Sequence, residues 1–230
     1  MRMCTATQIY ELLRDAYKSL NEEEFIAYYV CKRSGDIFKT LIATILSQNS
    51  TDKSAMIAYK NLEEKIGIEP KLLVNVKIED IISAIRICGL SNSKARYIRN
   101  AAKAFLEHKL EFKDCDTFRN FLLSIEGVGY KTADVVLVTC LKCKAFPVDT
   151  HIKRVITRLG ILGKSPSYKD ISNYFLGFLE SEDLLNLHHL LIYHGRRTCK
   201  ARKPLCDSCV LKNCCEFYTG MAQPSSPQAT

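Results

Sequence analysis

The sequence predicts an all-α protein. Apolar residues recur at three- and four-residue spacing in ten separate stretches, and the alternation typical of strands is nearly absent. Glycine and proline fall mostly between those stretches, where helix ends need them. In chain order, helices are expected over 7–20, 36–47 and 52–66, the last stopped by the break at 67–70. The next, 78–87, ends at Cys88-Gly89, and 94–108 and 117–124 follow. Residues 127–129 interrupt the pattern before 130–141, and Phe146-Pro147 interrupts it before 151–159. The stretch 160–166 precedes 168–179, and 182–193 gives way at Gly195. No internal repeat is evident. The polar, Pro- and Ser-rich end, 220–230, is expected to be disordered.

Composition narrows the class. A chain of 230 residues with 47% hydrophobic content can bury a substantial core in one or two domains, and it has no apolar run long enough to cross a bilayer. A formal charge of +8 favours a polyanionic partner, although an ordinary basic enzyme also fits so modest an excess. The first seven residues lack a basic start followed by an apolar core, so a reducing, intracellular compartment is expected: cytoplasm, nucleoid or nucleus.

Of eleven cysteines, a group near the C-terminus stands apart: Cys199, Cys206, Cys209 and Cys215, with gaps of six, two and five residues if Cys215 rather than Cys214 closes the set. Four thiolates in so short a stretch can hold a metal centre. Zinc sites usually pair two short knuckles, whereas this stretch has one knuckle flanked by single cysteines, so by chemistry alone a [4Fe-4S] cube ranks first, zinc second and disulfides last. Lys200, Arg202 and Lys203 lie inside the first gap, where a metal would pin a basic loop in a shape suited to phosphate contact. Most of the other cysteines are expected to act as small buried hydrophobes, and Cys140 and Cys143 to mimic a redox motif by coincidence. His188 and His189 are read as packing residues and His151 as a helix-start residue.

The second chemical site is the stretch Ile125-Glu126-Gly127-Val128-Gly129-Tyr130-Lys131-Thr132-Ala133-Asp134. Two glycines around a valine, with a helix on either side, make a helix-hairpin-helix whose bare backbone amides at Gly127, Val128 and Gly129 can approach phosphate oxygens. Lys131 falls in the first turn of the second helix, where the positive end of the dipole disfavours an ammonium. An amine kept partly neutral can attack an electrophilic carbon and form a Schiff base. Asp149, in Pro147-Val148-Asp149-Thr150-His151, reads as the N-cap of the next helix. The helix after the hairpin would run ~18 Å. The segment 142–149 can span up to ~23 Å, so Asp149 is able to return to the neighbourhood of Lys131.

With these residues in place, the chain resembles endonuclease III. The match lies in Gly127-Val128-Gly129-Tyr130-Lys131-Thr132-Ala133-Asp134, in Val148-Asp149-Thr150-His151-Ile152, and in His194-Gly195-Arg196 leading into the cysteines, from about residue 36 to 215. The resemblance implies a helix-hairpin-helix DNA glycosylase that removes oxidised pyrimidines from duplex DNA as a monomer and then nicks the strand. It implies two helical lobes with an interlobe cleft: 36–143 with the hairpin, and 1–35 together with 144–219 carrying the cluster. It also implies a [4Fe-4S] cluster on Cys199, Cys206, Cys209 and Cys215, Lys131 as nucleophile and Asp149 as its acid-base partner. A base can be extruded only if something fills the vacated stack, and the resemblance assigns that wedge role to Leu90 and to Asn49, with Gln48 as the substitute.

Three departures from the family pattern stand out. Asn49 stands where glutamine is usual, Glu126 replaces a proline beside the hairpin, and Tyr130 replaces a residue that is often basic. Two other functions compete with the leading one. A mismatch-specific thymine or uracil glycosylase would be expected to lack Lys131. A non-catalytic iron-sulfur DNA-binding protein would use hairpin and cluster for attachment alone.

Overall fold

The structure, a computed structural model, describes residues 3–108 and 114–222. Its regular elements are helical throughout, with no strand among the described residues. The chain divides into two compact units, Asn21–Pro147 and Met1–Leu20 with Val148–Thr230.

The first helix, α1 (Ala6–Ala16), opens on a capping box in which Thr5 and Gln8 satisfy each other's backbone amides. In the unit Asn21–Pro147 there follow α2 (Ile26–Ser34), α3 (Ile37–Ser47), α4 (Asp52–Lys65), α5 (Pro70–Asn75), α6 (Ile78–Ile85), α7 (Ser91–Glu107), α8 (Cys115–Ser124) and α9 (Tyr130–Cys140). Asp36, Thr51 and Asp114 cap α3, α4 and α8 through their side-chain oxygens. The core forms around α3. Its residues 40–46 are all buried, and α2, α4, α7 and α9 pack against it. A helix buried on every face has to be apolar all round, and the run Leu41-Ile42-Ala43-Thr44-Ile45-Leu46 meets that condition. Thr40 and Thr44 fit because each hydroxyl donates to the carbonyl four residues back.

The other unit combines α1 with α10 (Thr150–Leu159), α11 (Tyr168–Leu176), α12 (Ser181–Arg197) and α13 (Glu216–Ala222). Here α12 packs against α1 and α10. Gly195 lies inside α12 rather than ending it, because a Cβ there would come within 2.8 Å of the His151 Cβ on α10. The glycine marks close helix approach, which a sequence pattern cannot distinguish from a break.

Several boundaries differ from expectation. Residues 21–35 group with 36–147 rather than with the C-terminal segment, since α2 rests on α3 and α9. α2, α5 and α13 escape periodicity because each is short, and α2 starts without a side-chain cap. α7 begins at Ser91, which makes Leu90 its N-cap. Residues 220–222, expected in a disordered tail, complete α13, and the remainder of that stretch lies outside the described residues.

The cysteines require a further correction. Cys4 is bonded to Cys214, Cys31 to Cys140 and Cys115 to Cys143. Six residues read as isolated hydrophobes are therefore cross-links, with Cys88 left as a buried thiol. Partners 210, 109 and 28 residues apart have no signature in local spacing.

Candidate active site and DNA interface

The hairpin connects α8 to α9. The Val128 amide donates to the Ile125 carbonyl at 3.0 Å, with Ile125 and Val128 buried beneath the turn. Gly127 sits at φ +93°, and a Cβ there would lie 2.1 Å from the Tyr97 ring of α7. Both backbone sign and packing therefore demand glycine. Gly129, at φ −97°, is the N-cap of α9 and has no side chain to cap with. The leading amides of α9 are accordingly available to an anion. Lys131 is the second residue of that helix and is half-buried, and Tyr130 beside it is 49% exposed. Arg119 and the buried Asp134, 3.0 Å apart, tie α8 to α9, a pairing that the sequence pattern did not reveal.

Gln48 and Asn49 part company. The Gln48 amide donates to the Gly127 carbonyl at 3.0 Å and to the Thr132 hydroxyl at 3.1 Å, so this side chain holds the hairpin instead of substituting as a wedge. Asn49 is exposed, with φ +49°. Leu90 is 59% exposed, with φ +51°. Two non-glycine residues thus occupy the left-handed region at the tips of neighbouring loops, a conformation that costs a residue such as Leu90 about 1–2 kcal/mol and a short polar residue such as Asn49 less.

In the other unit, Asp149 caps α10, its carboxylate accepting from the Ile152 amide at 2.7 Å. Cys199, Cys206, Cys209 and Cys215 are free thiols that line one cavity, together with Thr198, Leu205 and Phe217. Arg158 fixes the loop entering this group, donating to the Cys199 sulfur at 3.3 Å and to the Lys200 and Ala201 carbonyls at 2.7 and 3.1 Å. Arg154 adds bonds to the Gly195 and Cys199 carbonyls. Lys200, Arg202 and Lys203 project from this loop and are exposed. The His194 Nδ1 shares a hydrogen bond with the Tyr17 hydroxyl at 2.8 Å, and its Nε2 lies 3.6 Å from the Cys209 sulfur. Burial pushes this imidazole down to about 4, so it stays neutral. His194 belonged to the family motif, but its place beside a cysteine sulfur depends on the three-dimensional fold.

Residues 42–181 match the model for the HhH-GPD superfamily of base excision DNA repair proteins. The endonuclease III of Sulfolobus acidocaldarius is 56% identical over 218 residues, covering 94% of this chain and 97% of that protein. The Escherichia coli endonuclease III is 36% identical over 181 residues, 78% of this chain and 83% of that protein. Among solved structures, a trapped covalent intermediate of an endonuclease III with DNA superposes with a TM-score of 0.81 at 29% identity, covering 96% of this chain and all of that one. This chain belongs to the HhH-GPD superfamily of base excision repair proteins. Within it, the chain falls with the endonuclease III enzymes, DNA glycosylases that are also abasic-site lyases acting on duplex DNA.

Proposed function

We propose that this enzyme excises oxidised pyrimidines through Lys131, with Asp149 as its acid-base partner. The observation that carries the reading is the position of Lys131 in the first turn of a helix whose N-cap is glycine, directly after a phosphate-binding hairpin. A sugar whose phosphates rest on the hairpin amides is thereby brought to the amine. The amine lone pair bonds to C1′ of the extruded nucleotide, the N-glycosidic bond breaks, and the base leaves with its electron pair and takes up a proton. The carboxylate of Asp149 accepts the proton that the lysine releases and stabilises positive charge on the sugar. Ring opening gives an imine. Loss of a C2′ proton then expels the 3′ phosphate by β-elimination, and water hydrolyses the imine to free the lysine.

The cysteine group fits a [4Fe-4S] cluster. Four unpaired thiols line one cavity, and the neighbouring Cys214 is committed to Cys4, which leaves Cys215 as the fourth donor. Among the described residues, no group of three or more His, Cys, Asp or Glu side chains is placed to hold a metal ion as the side chains stand. Burial pushes Cys209 up to about 11 and also raises Cys206 and Cys215, so binding iron would release protons from these thiols. When bound, the cluster supplies shape: it fixes the loop that presents Lys200, Arg202 and Lys203 to phosphates. The enzyme would work as a monomer in the compartment that holds the DNA.

Borohydride trapping on an abasic duplex tests the chemistry. The wild type gives a covalent adduct, Lys131→Ala gives none, and Asp149→Asn gives one slowly. An adduct that persists in Lys131→Ala moves the nucleophile elsewhere.

A further inference from the structure

Lys94 is 1% exposed, and its ammonium is sunk in the unit Asn21–Pro147. Nζ donates to the Leu46 carbonyl at 2.8 Å and to the Cys88 carbonyl at 3.0 Å. Leu46 lies in the last turn of α3, and Cys88 ends the 3-10 turn Arg86–Cys88. The orphan carbonyls of two helical ends are thus satisfied by one side chain. Three residues past Leu46 is Asn49, and two past Cys88 is Leu90, each at positive φ. The backbone of Lys94 holds the same loop, its amide donating to the Leu90 carbonyl at 2.9 Å. Burial works against the charged amine and lowers its pKa. A methionine or leucine would fill this space without that desolvation, so the bonds that the amine makes are what its presence supplies.

We propose that Lys94 is a positioning residue for base extrusion, one buried amine fixing the roots of both the Asn49 and the Leu90 loops so that the two side chains enter the duplex as a pair. The proposal rests on the reading of Asn49 and Leu90 as wedges. Two loops fastened to a common donor cannot drift independently, and their strained tips are held ready before DNA arrives.

The test compares single-turnover borohydride trapping on two substrates: a fully paired duplex carrying 5-hydroxycytosine, and an abasic site in a single strand, where no base pair has to open. The readout is the ratio of the two rates. Lys94→Met, which keeps length and loses both donors, lowers the ratio between about tenfold and a hundredfold, the scale of a displacement of about an ångström. Lys94→Gln, whose amide retains two N–H groups, recovers part of it and stands in should Lys94→Met fail to fold. Leu90→Ala lowers the duplex rate, and the double variant Leu90→Ala with Lys94→Met is no slower than the slower single variant, because Leu90 acts as a wedge only where Lys94 holds its loop. An unchanged ratio in Lys94→Met, with Leu90→Ala still slow on duplex, overturns the role of Lys94 alone. Leu90→Ala at the wild-type duplex rate overturns the wedge reading and this proposal with it.

Discussion

Arg96 Nη2 lies 3.2 Å from the Glu126 carboxylate, whose second oxygen accepts from Asn100 Nδ2 at 3.0 Å. Glu126 stands one residue before Gly127, so an acidic group sits beside the turn proposed to bind phosphate. The two α7 side chains draw it along their own helix and offset its charge. Both partners of the ion pair are about three-fifths exposed, and such pairs contribute at most about 1 kcal/mol to stability. Their consequence belongs to binding. Arg96→Ala is expected to weaken abasic-duplex affinity several-fold at low salt, with an unfolding free energy changed by less than ~1 kcal/mol. Adding Glu126→Gln to Arg96→Ala restores most of the affinity, and the difference shrinks as salt rises. Fluorescence anisotropy at two ionic strengths checks this. A double variant as weak as the single one shows that Arg96 contacts DNA on its own account.

The two hairpin glycines are not equivalent. At Gly127 an added methyl meets both a left-handed backbone and the Tyr97 ring, whereas at Gly129 nothing lies within 4 Å and φ is −97°. Gly127→Ala should lose more than about 2 kcal/mol in denaturant unfolding. Tyr97→Ala in that background recovers only the packing part, because the backbone penalty remains. Gly129→Ala should stay within about 0.5 kcal/mol of wild type yet bind DNA more weakly, its methyl standing where a phosphate approaches the amides. Equal stability losses at the two positions contradict this reading.

The same pair of glycines shows how far the sequence reached. Two glycines around Val128, followed by Lys131, were enough to place a hairpin and to set Lys131 in the first turn of the helix after it, because local spacing encodes local geometry. Which glycine carries the steric demand depended on Tyr97, thirty residues upstream. Lys94 was one of 33 basic residues and had no mark in the pattern, since a buried amine is recognised by the carbonyls it meets. Gln48 and Asn49 could not be told apart by type. Only backbone direction decided that one faces the hairpin and the other stays exposed. Helices with caps and long periodic faces were legible, whereas short ones and the cysteine pairs depended on tertiary contacts.

That division between Gln48 and Asn49 separates stability from recognition. Gln48→Ala leaves the Gly127 carbonyl and the Thr132 hydroxyl without this donor, and a loss of about 1–3 kcal/mol is expected, with weaker DNA binding following from a loosened hairpin. Asn49→Gly removes an exposed side chain and relieves a positive φ, so the protein should be as stable as wild type or slightly more so. Its excision from paired duplex should nevertheless fall. Thermal melts and single-turnover excision on the same preparations check both halves, and a destabilised Asn49→Gly with unchanged excision would reverse the assignment.

Cys214 and Cys215 are adjacent in sequence and opposite in fate. Cys214 is buried and bonded to Cys4, and Cys215 is a free thiol on the cavity shared with Cys199, Cys206 and Cys209. Cys215→Ser is expected to lose visible absorbance together with iron and sulfide. Cys214→Ser should keep all three and lose the cross-link instead, at a cost of about 2–4 kcal/mol. Cys4→Ser has no part in the cluster under any assignment and should match Cys214→Ser in both absorbance and stability. Reductant provides the internal check, because opening the Cys4–Cys214 bond in the wild type removes the difference that this bond makes. If Cys214→Ser bleaches the protein while Cys4→Ser does not, the fourth thiolate is Cys214, and the pairing with Cys4 cannot coexist with a loaded cluster.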